Sequence, residues 1–111
     1  MILTHEVLKR CDVIKIKGRV DSSKAPEVEA KFQEIIGEAK RYNIVVDMSE
    51  LEFASSAFLR VLIAAMKTVR GKGGGIHLAT ASDRMKDVFQ LAGITSLFKF
   101  YDTVTQAVGD F

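Results

Sequence analysis

The chain is poor in the residues that most often announce a function. Among 111 residues there is one cysteine, one proline, two histidines and no tryptophan. The lone thiol, Cys11, excludes an internal disulfide framework and has no second cysteine with which to form a metal or redox pair, which fits a reducing compartment. Neither sign of charge dominates. Sixteen basic residues face 14 acidic ones, a net charge of +2, which argues against the clustered basic face that nucleic acid demands. The local basic groups (Lys9, Arg10, Lys15, Lys17 and Arg19, then Lys67, Arg70 and Lys72) read as solvated faces and helix-end charges. No apolar run approaches the roughly 18 residues needed to cross a bilayer. The start, MILTHEVLKR, lacks the basic region, long apolar stretch and small-residue cleavage site of a signal peptide. The expectation is a soluble, cytoplasmic protein, a monomer or weak dimer, with no membrane or direct nucleic-acid partner.

What is present is a composition that can build a core: 48% hydrophobic and 27% charged residues. That suits a single domain over residues 1–111. Ile2 to Leu8 and Val13 to Lys17 read as strands, the second alternating Val13, Lys15 and Lys17 with Ile14 and Ile16. A turn around Lys9 to Asp12 makes them an antiparallel hairpin, and Gly18 with Asp21-Ser22-Ser23 ends the pattern. Ala25, Val28, Phe32, Ile35, Ile36 and Ala39 then recur at helical spacing. The one proline, Pro26, suits that helix's first turn, where its missing N–H would have no partner.

Ile44-Val45-Val46 is a continuous β-branched run, typical of a strand covered on both faces. Asp47 to Phe53 reads as a connection. The apolar stretch Phe58 to Val69 predicts a helix over Ser56 to Arg70, with Ser55 or Ser56 as N-cap and Gly71 just past the end. Phe58, Val61, Leu62, Ala65 and Val69 share its core stripe. Ile76 to Thr80 is a further strand after the Gly73-Gly74-Gly75 turn. Ser82 caps a helix carrying Met85, Val88, Phe89 and Ala92, ended by Gly93. Phe98 to Phe100 is a last strand, and Asp102 is expected to cap a closing helix. The order β-β-α-β-α-β-α-β-α predicts an α/β fold: a mostly parallel sheet of about five strands, an antiparallel hairpin at its edge, and four helices.

Several chemistries fail on residue types. A serine hydrolase needs a histidine and an orienting acid beside its nucleophile. Ser55 stands at a strand-to-helix turn, but the glycines of a nucleophile elbow are absent, and Ala54 and Ala57 occupy the neighbourhood. His5 and His77 both lie in strand patterns, where a lone histidine is usually structural or on the surface. Gly71-Lys72-Gly73-Gly74-Gly75 lacks phosphate-loop spacing and follows a helix instead of opening one. No His, Cys and carboxylate set has metal-ligand spacing. Asp47, at the end of a central strand, has no acidic or basic partner nearby and reads as a turn residue. No catalytic, cofactor or metal site is expected. What remains is the serine pair at the start of an apolar helix, where capping needs only one of the two hydroxyls.

Ile44-Val45-Val46-Asp47-Met48-Ser49-Glu50-Leu51-Glu52-Phe53-Ala54-Ser55-Ser56-Ala57-Phe58-Leu59 resembles the STAS family run of hydrophobic strand, D-[LM]-S, hydrophobic-x-hydrophobic and D-S-S-G-L. Gly18-Arg19-Val20-Asp21 is similar to the family's G-x-[LIV]-D. Gly73-Gly74 and Leu91-Ala92-Gly93-Ile94 match in place, so the likeness covers nearly the whole chain. It points to the anti-sigma factor antagonists of that family. The resemblance implies that Ser55 is a phosphate acceptor and that Asp21 lies near it on a partner-facing surface. The implied partners are an anti-sigma factor with serine kinase activity, bound by the unphosphorylated form, and a serine phosphatase. Ser56, Phe58, Leu59 and Ile63 are expected to join the partner surface. Two departures stand out: Ala54 replaces the acid before the serines, and Ala57 the glycine after them. A non-switching STAS scaffold in a signalling or transport assembly is the alternative. A small enzyme built on Ser55 and His77 is a remote one.

Overall fold

The computed structural model describes residues 1–111. Alternation in the first twenty residues produces two antiparallel strands, β1 (Ile2–Val7) and β2 (Asp12–Val20), with Ile2 opposite Lys17 and Val7 opposite Asp12. β2 is longer than its alternation suggested. Gly18 does not end it, because its φ of +94°, open to glycine at no steric cost, lets the strand pass through a bulge and continue to Val20. Helix α1 (Ala25–Phe32) follows, with Pro26 in its first turn, and runs on through a π-helical segment, Gln33–Glu38. Then come β3 (Asn43–Asp47), β4 (Leu51–Ala54), α2 (Ser56–Gly71), β5 (Gly75–Ala79), α3 (Asp83–Leu91), a 3-10 turn at Thr95–Leu97, β6 (Lys99–Tyr101) and α4 (Val104–Gly109).

The main sheet has the order β1-β2-β3-β5-β6, parallel except for the β1–β2 hairpin, and β4 pairs in parallel with the far end of β2. The sheet therefore has six strands, one more than expected. β4 is the addition: its four residues fall in the stretch read as a connection, and its partner is the part of β2 beyond Gly18. The closing helix is capped by Thr103, whose hydroxyl accepts from Gln106 N–H, and not by Asp102.

Successive strand residues point to opposite faces. Ile14, Ile16, Ile44, Val46, Ile76 and Leu78 face a large core closed by Val28, Phe32, Ile35, Phe58, Leu62, Val69, Met85 and Phe89 from α1, its π-helical extension, α2 and α3. Cys11, Val13, Val45 and Ala79 face the other side, where Ala107 of α4 covers them. β3 is thus buried on both faces, as its β-branched run requires.

Where β2 begins, the chain buries a charge. Asp12 is 1% exposed; Arg41 Nε donates to its Oδ1 at 2.6 Å, and His5 Nε2 lies 2.6 Å from its Oδ2. The Arg41 guanidinium also donates to the carbonyls of Leu8 and Cys11. It therefore pins the hairpin turn to the segment between α1 and β3.

Candidate functional site

β2 and β4 run in parallel, so their carboxyl ends lie side by side: Val20 pairs with Ala54, and Ser55 N–H donates to the Val20 carbonyl at 2.9 Å. The next residues along each strand, Asp21 and Ser55, are therefore brought together on one loop surface, as expected of functional groups in an open α/β sheet.

Ser55 is the N-cap of α2. Its backbone is extended (φ −76°, ψ 164°), and its Oγ accepts from Phe58 N–H at 3.2 Å. It is half-buried, and the first turn of α2 carries no acidic residue. The capping geometry uses one lone pair of the hydroxyl and leaves its O–H free to donate. Ser56 is exposed and accepts no capping bond. The serine expected to carry the phosphate and the serine that caps the helix are thus one residue.

Asp21 is exposed and shapes its own loop. Its Oδ1 accepts from Ser23 Oγ at 2.6 Å, from Ser23 N–H at 3.0 Å and from Lys24 N–H at 3.1 Å. The Ser23 hydroxyl first, then these backbone donors and the Lys24 charge, hold the carboxyl below its ordinary value. The same loop reaches α2: Ser22, Ala25 and Pro26 share a shallow groove with Ala57, Arg60 and Val61. Next to it, the Arg19 guanidinium lies 4.4 Å from the centre of the Phe53 ring, an exposed cation–π pair across β2 and β4.

The expected apolar surface on α2 needs correction. Phe58 is fully buried and Leu59 is 8% exposed, both within the main core. At positions three and four after the cap they fall on the inward stripe, so neither offers surface to a partner in this conformation. Ile63 is half-buried at the edge of the core. The accessible part of α2 near Ser55 is Ser56, Ala57 and Arg60. Arg60 is a residue the sequence reading passed over; its place on the outward face, four after Ser56, was the available signal.

Ala54, where the family motif carries an acid, is 9% exposed and packs in the core at the end of β4. Asp47, read in the sequence as a turn residue, is the last residue of β3, and its Oδ1 accepts from Ser49 N–H at 3.0 Å and from Thr80 Oγ1 at 2.8 Å. His77 lies far from Ser55 in its chemistry: its Nδ1 is bonded to the Ala107 carbonyl at 2.8 Å and its ring stacks on Phe111. No three His, Cys, Asp or Glu side chains are gathered as metal ligands. No helix is long and apolar enough to cross a membrane.

This arrangement of hairpin, parallel sheet and serine-capped α2 defines a class. The STAS domain model matches residues 3–107, and the chain belongs to that family. Among its relatives is BtrV of Bordetella bronchiseptica, a candidate anti-sigma factor antagonist. The two are 29% identical, over 88% of this chain and 84% of BtrV. The fold is shared with a candidate anti-sigma factor antagonist of Thermotoga maritima (TM-score 0.88, 16% identity, 97% and 92% of the two chains covered). It is shared also with the Bacillus cell fate determinant SpoIIAA in its phosphorylated form (TM-score 0.78, 22% identity, 98% of each chain).

Proposed function

We propose that this protein is an anti-sigma factor antagonist whose binding surface is the loop end of β2, β4 and α2, switched by phosphorylation of Ser55. In this reading the unphosphorylated form binds an anti-sigma factor that is also a serine kinase, and so frees a sigma factor. Phosphate on Ser55 ends the binding, and a serine phosphatase restores it. The supporting observation is the Ser55 hydroxyl itself, at the half-buried N-cap of α2 and adjoining the exposed Asp21 loop.

The physical consequences follow from that position. Phosphorylation adds about −1.5 to −2 charges and three acceptor oxygens. At a helix N-terminus these meet free N–H groups and the positive end of the dipole, so the fold tolerates them. Pressed against a partner without matching cations, the same charge costs several kcal/mol, roughly the scale that breaks a micromolar complex. The switch therefore acts on the interface and spares the domain. Asp21, Ser56 and Arg60, with Ile63 at the flank, form the surface that a partner would cover.

Incubation with the cognate kinase and ATP, followed by peptide mass spectrometry, should place one phosphate on Ser55. Ser55→Asp should weaken the partner complex with thermal stability nearly unchanged, and Ser55→Ala should bind yet resist modification. Phosphate on Ser56 would refute the assignment. Binding with no phosphorylation would favour the non-switching scaffold, the reading that Ala54 in place of the motif's acid supports.

A further inference from the structure

At the end of the sheet opposite Ser55, the parallel strands β3, β5 and β6 begin at Asn43, Gly75 and Lys99. Between these starts and the last turn of α2 lies a cleft of about 270 Å³. The glycine turn on its wall is held tight against Tyr42, the residue before β3. Gly75 N–H donates to the Tyr42 carbonyl at 2.9 Å, and a Cβ on Gly74 would stand 2.0 Å from that same oxygen. Only glycine fits there, and the residues around it leave a hollow.

The cleft has two chemically distinct parts. Met66, Ile76, Leu97 and Phe111 supply apolar wall. Arg70 and Lys99 supply two cations, and neither forms an ion pair with a carboxylate. Arg70 is steadied by donating to the Leu97 carbonyl at 3.2 Å, which leaves the rest of its guanidinium free. No aspartate or glutamate lines the cleft. Asp110, close enough to feel Lys99 and His77, lies outside the lining and accepts from the Tyr101 hydroxyl.

His77 joins the two parts. It is 6% exposed, its ring is stacked on Phe111 at 3.7 Å and tilted against Tyr101, and its Nδ1 is bonded to the Ala107 carbonyl. A carbonyl only accepts, so Nδ1 carries the proton, and Nε2 is the one polar atom of this side chain without a partner. His77 lines the cleft, and no buried side-chain nitrogen or oxygen is left sealed without a hydrogen bond, so the unpartnered Nε2 is open to solvent.

We propose that this cleft binds a small organic carboxylate with an aromatic or branched apolar body. Arg70 and Lys99 hold the carboxylate, Arg70 through the planar fork that matches its two oxygens. The apolar body lies against Met66, Leu97 and Phe111, and His77 Nε2 meets a polar group of the ligand. An inorganic anion would leave the apolar wall unused, and a neutral ligand would leave the cations unanswered.

The test is a titration of the full chain, labelled with ¹⁵N, with benzoate and with isovalerate, followed by NMR. Benzamide and inorganic phosphate serve as controls. At least one carboxylate should give saturable shifts at Gly73, Gly74, Gly75 and His77, with Kd at or below about 1 mM, and should move the His77 Nε2 resonance. Arg70→Gln/Lys99→Gln, both at exposed positions, should weaken binding about tenfold or more with the remaining spectrum intact. His77→Asn keeps a donor for the Ala107 carbonyl and should lose the ligand's polar contact without losing the fold. No saturable shift with either carboxylate would overturn the proposal. So would undiminished binding by the double variant, or equal shifts from benzamide or phosphate.

Discussion

Ser55 and Ser56 are chemically identical neighbours that the backbone puts to different uses. The extended φ/ψ of Ser55 aims its oxygen back at Phe58 N–H, whereas Ser56 is already helical and its hydroxyl faces water. Ser55→Ala should therefore cost about 1 kcal/mol, the usual worth of a side-chain cap, while Ser56→Ala should stay within about 0.5 kcal/mol. Urea melts of the two variants separate them; equal costs would mean that the cap is shared. Asp21 gives a second residue-scale expectation. Because its donors favour the charged form, the carboxyl should titrate below its ordinary value of 3.8. A depressed folded pKa contributes stability that is present above the ordinary carboxylate range and lost as pH falls through the folded value. Ser23→Ala removes the first of those donors, so a ¹³C titration should show the Asp21 midpoint rise. An unmoved midpoint would mean that the Ser23 hydroxyl contributes nothing to the loop.

At the scale of elements, α2 carries the most weight. Its inward stripe of Phe58, Leu62, Ala65, Met66 and Val69 lies beneath the sheet, and Leu62 is fully buried. Leu62→Ala should cost about 2–5 kcal/mol, the range for a leucine truncated in a core that collapses only partly. A midpoint in urea close to the parent's would show that this face is not the packed one. Most of that stripe was legible in the sequence because amphipathic period and length agreed, although Val61, expected on it, is half-buried and Met66 was not anticipated; the glycine turns and the Ser82 cap were legible too. β4 was not. Four residues bearing a central glutamate make too short a pattern to read as a strand, and what stabilises them is a ladder to Gly18–Val20, more than thirty residues earlier. Losing β4 also hides why Ser55 meets Asp21, although the family resemblance implied that the two are near each other. Leu59 misled for a related reason. At the edge of a wide apolar stripe, a helical projection does not say how far the neighbouring layer reaches over it.

Over the whole molecule, the two ends of the sheet are built on opposite principles. The carboxyl end gathers exposed polar groups on loops: Asp21, Ser56 and the half-open Ser55. The hairpin end buries one charged group, and Asp12 is the residue on which the hairpin turn is held. In sequence Cys11 and Asp12 fell in a turn, and nothing local says that residues about thirty apart will form a buried pair. The arrangement has a definite energetic signature. Removing one partner of a buried pair leaves an uncompensated charge and typically costs about 3–5 kcal/mol, whereas removing both can cost much less. Arg41→Met should therefore lower stability, by at most about that amount, since Asp12 would keep His5 as a partner while the carbonyls of Leu8 and Cys11 would lose their donor. Adding Asp12→Asn should recover part of the loss by deleting the stranded charge, so the double variant should be more stable than Arg41→Met alone. Because Asp12 is sheltered from solvent, the difference should persist in high salt, unlike that of the surface Lys15–Glu50 pair at 2.7 Å. Denaturant midpoints of the three proteins at low and high ionic strength settle the matter. A negligible cost for Arg41→Met, or a double variant no better than the single one, would show that the hairpin is held by its apolar ladder and not by this charge.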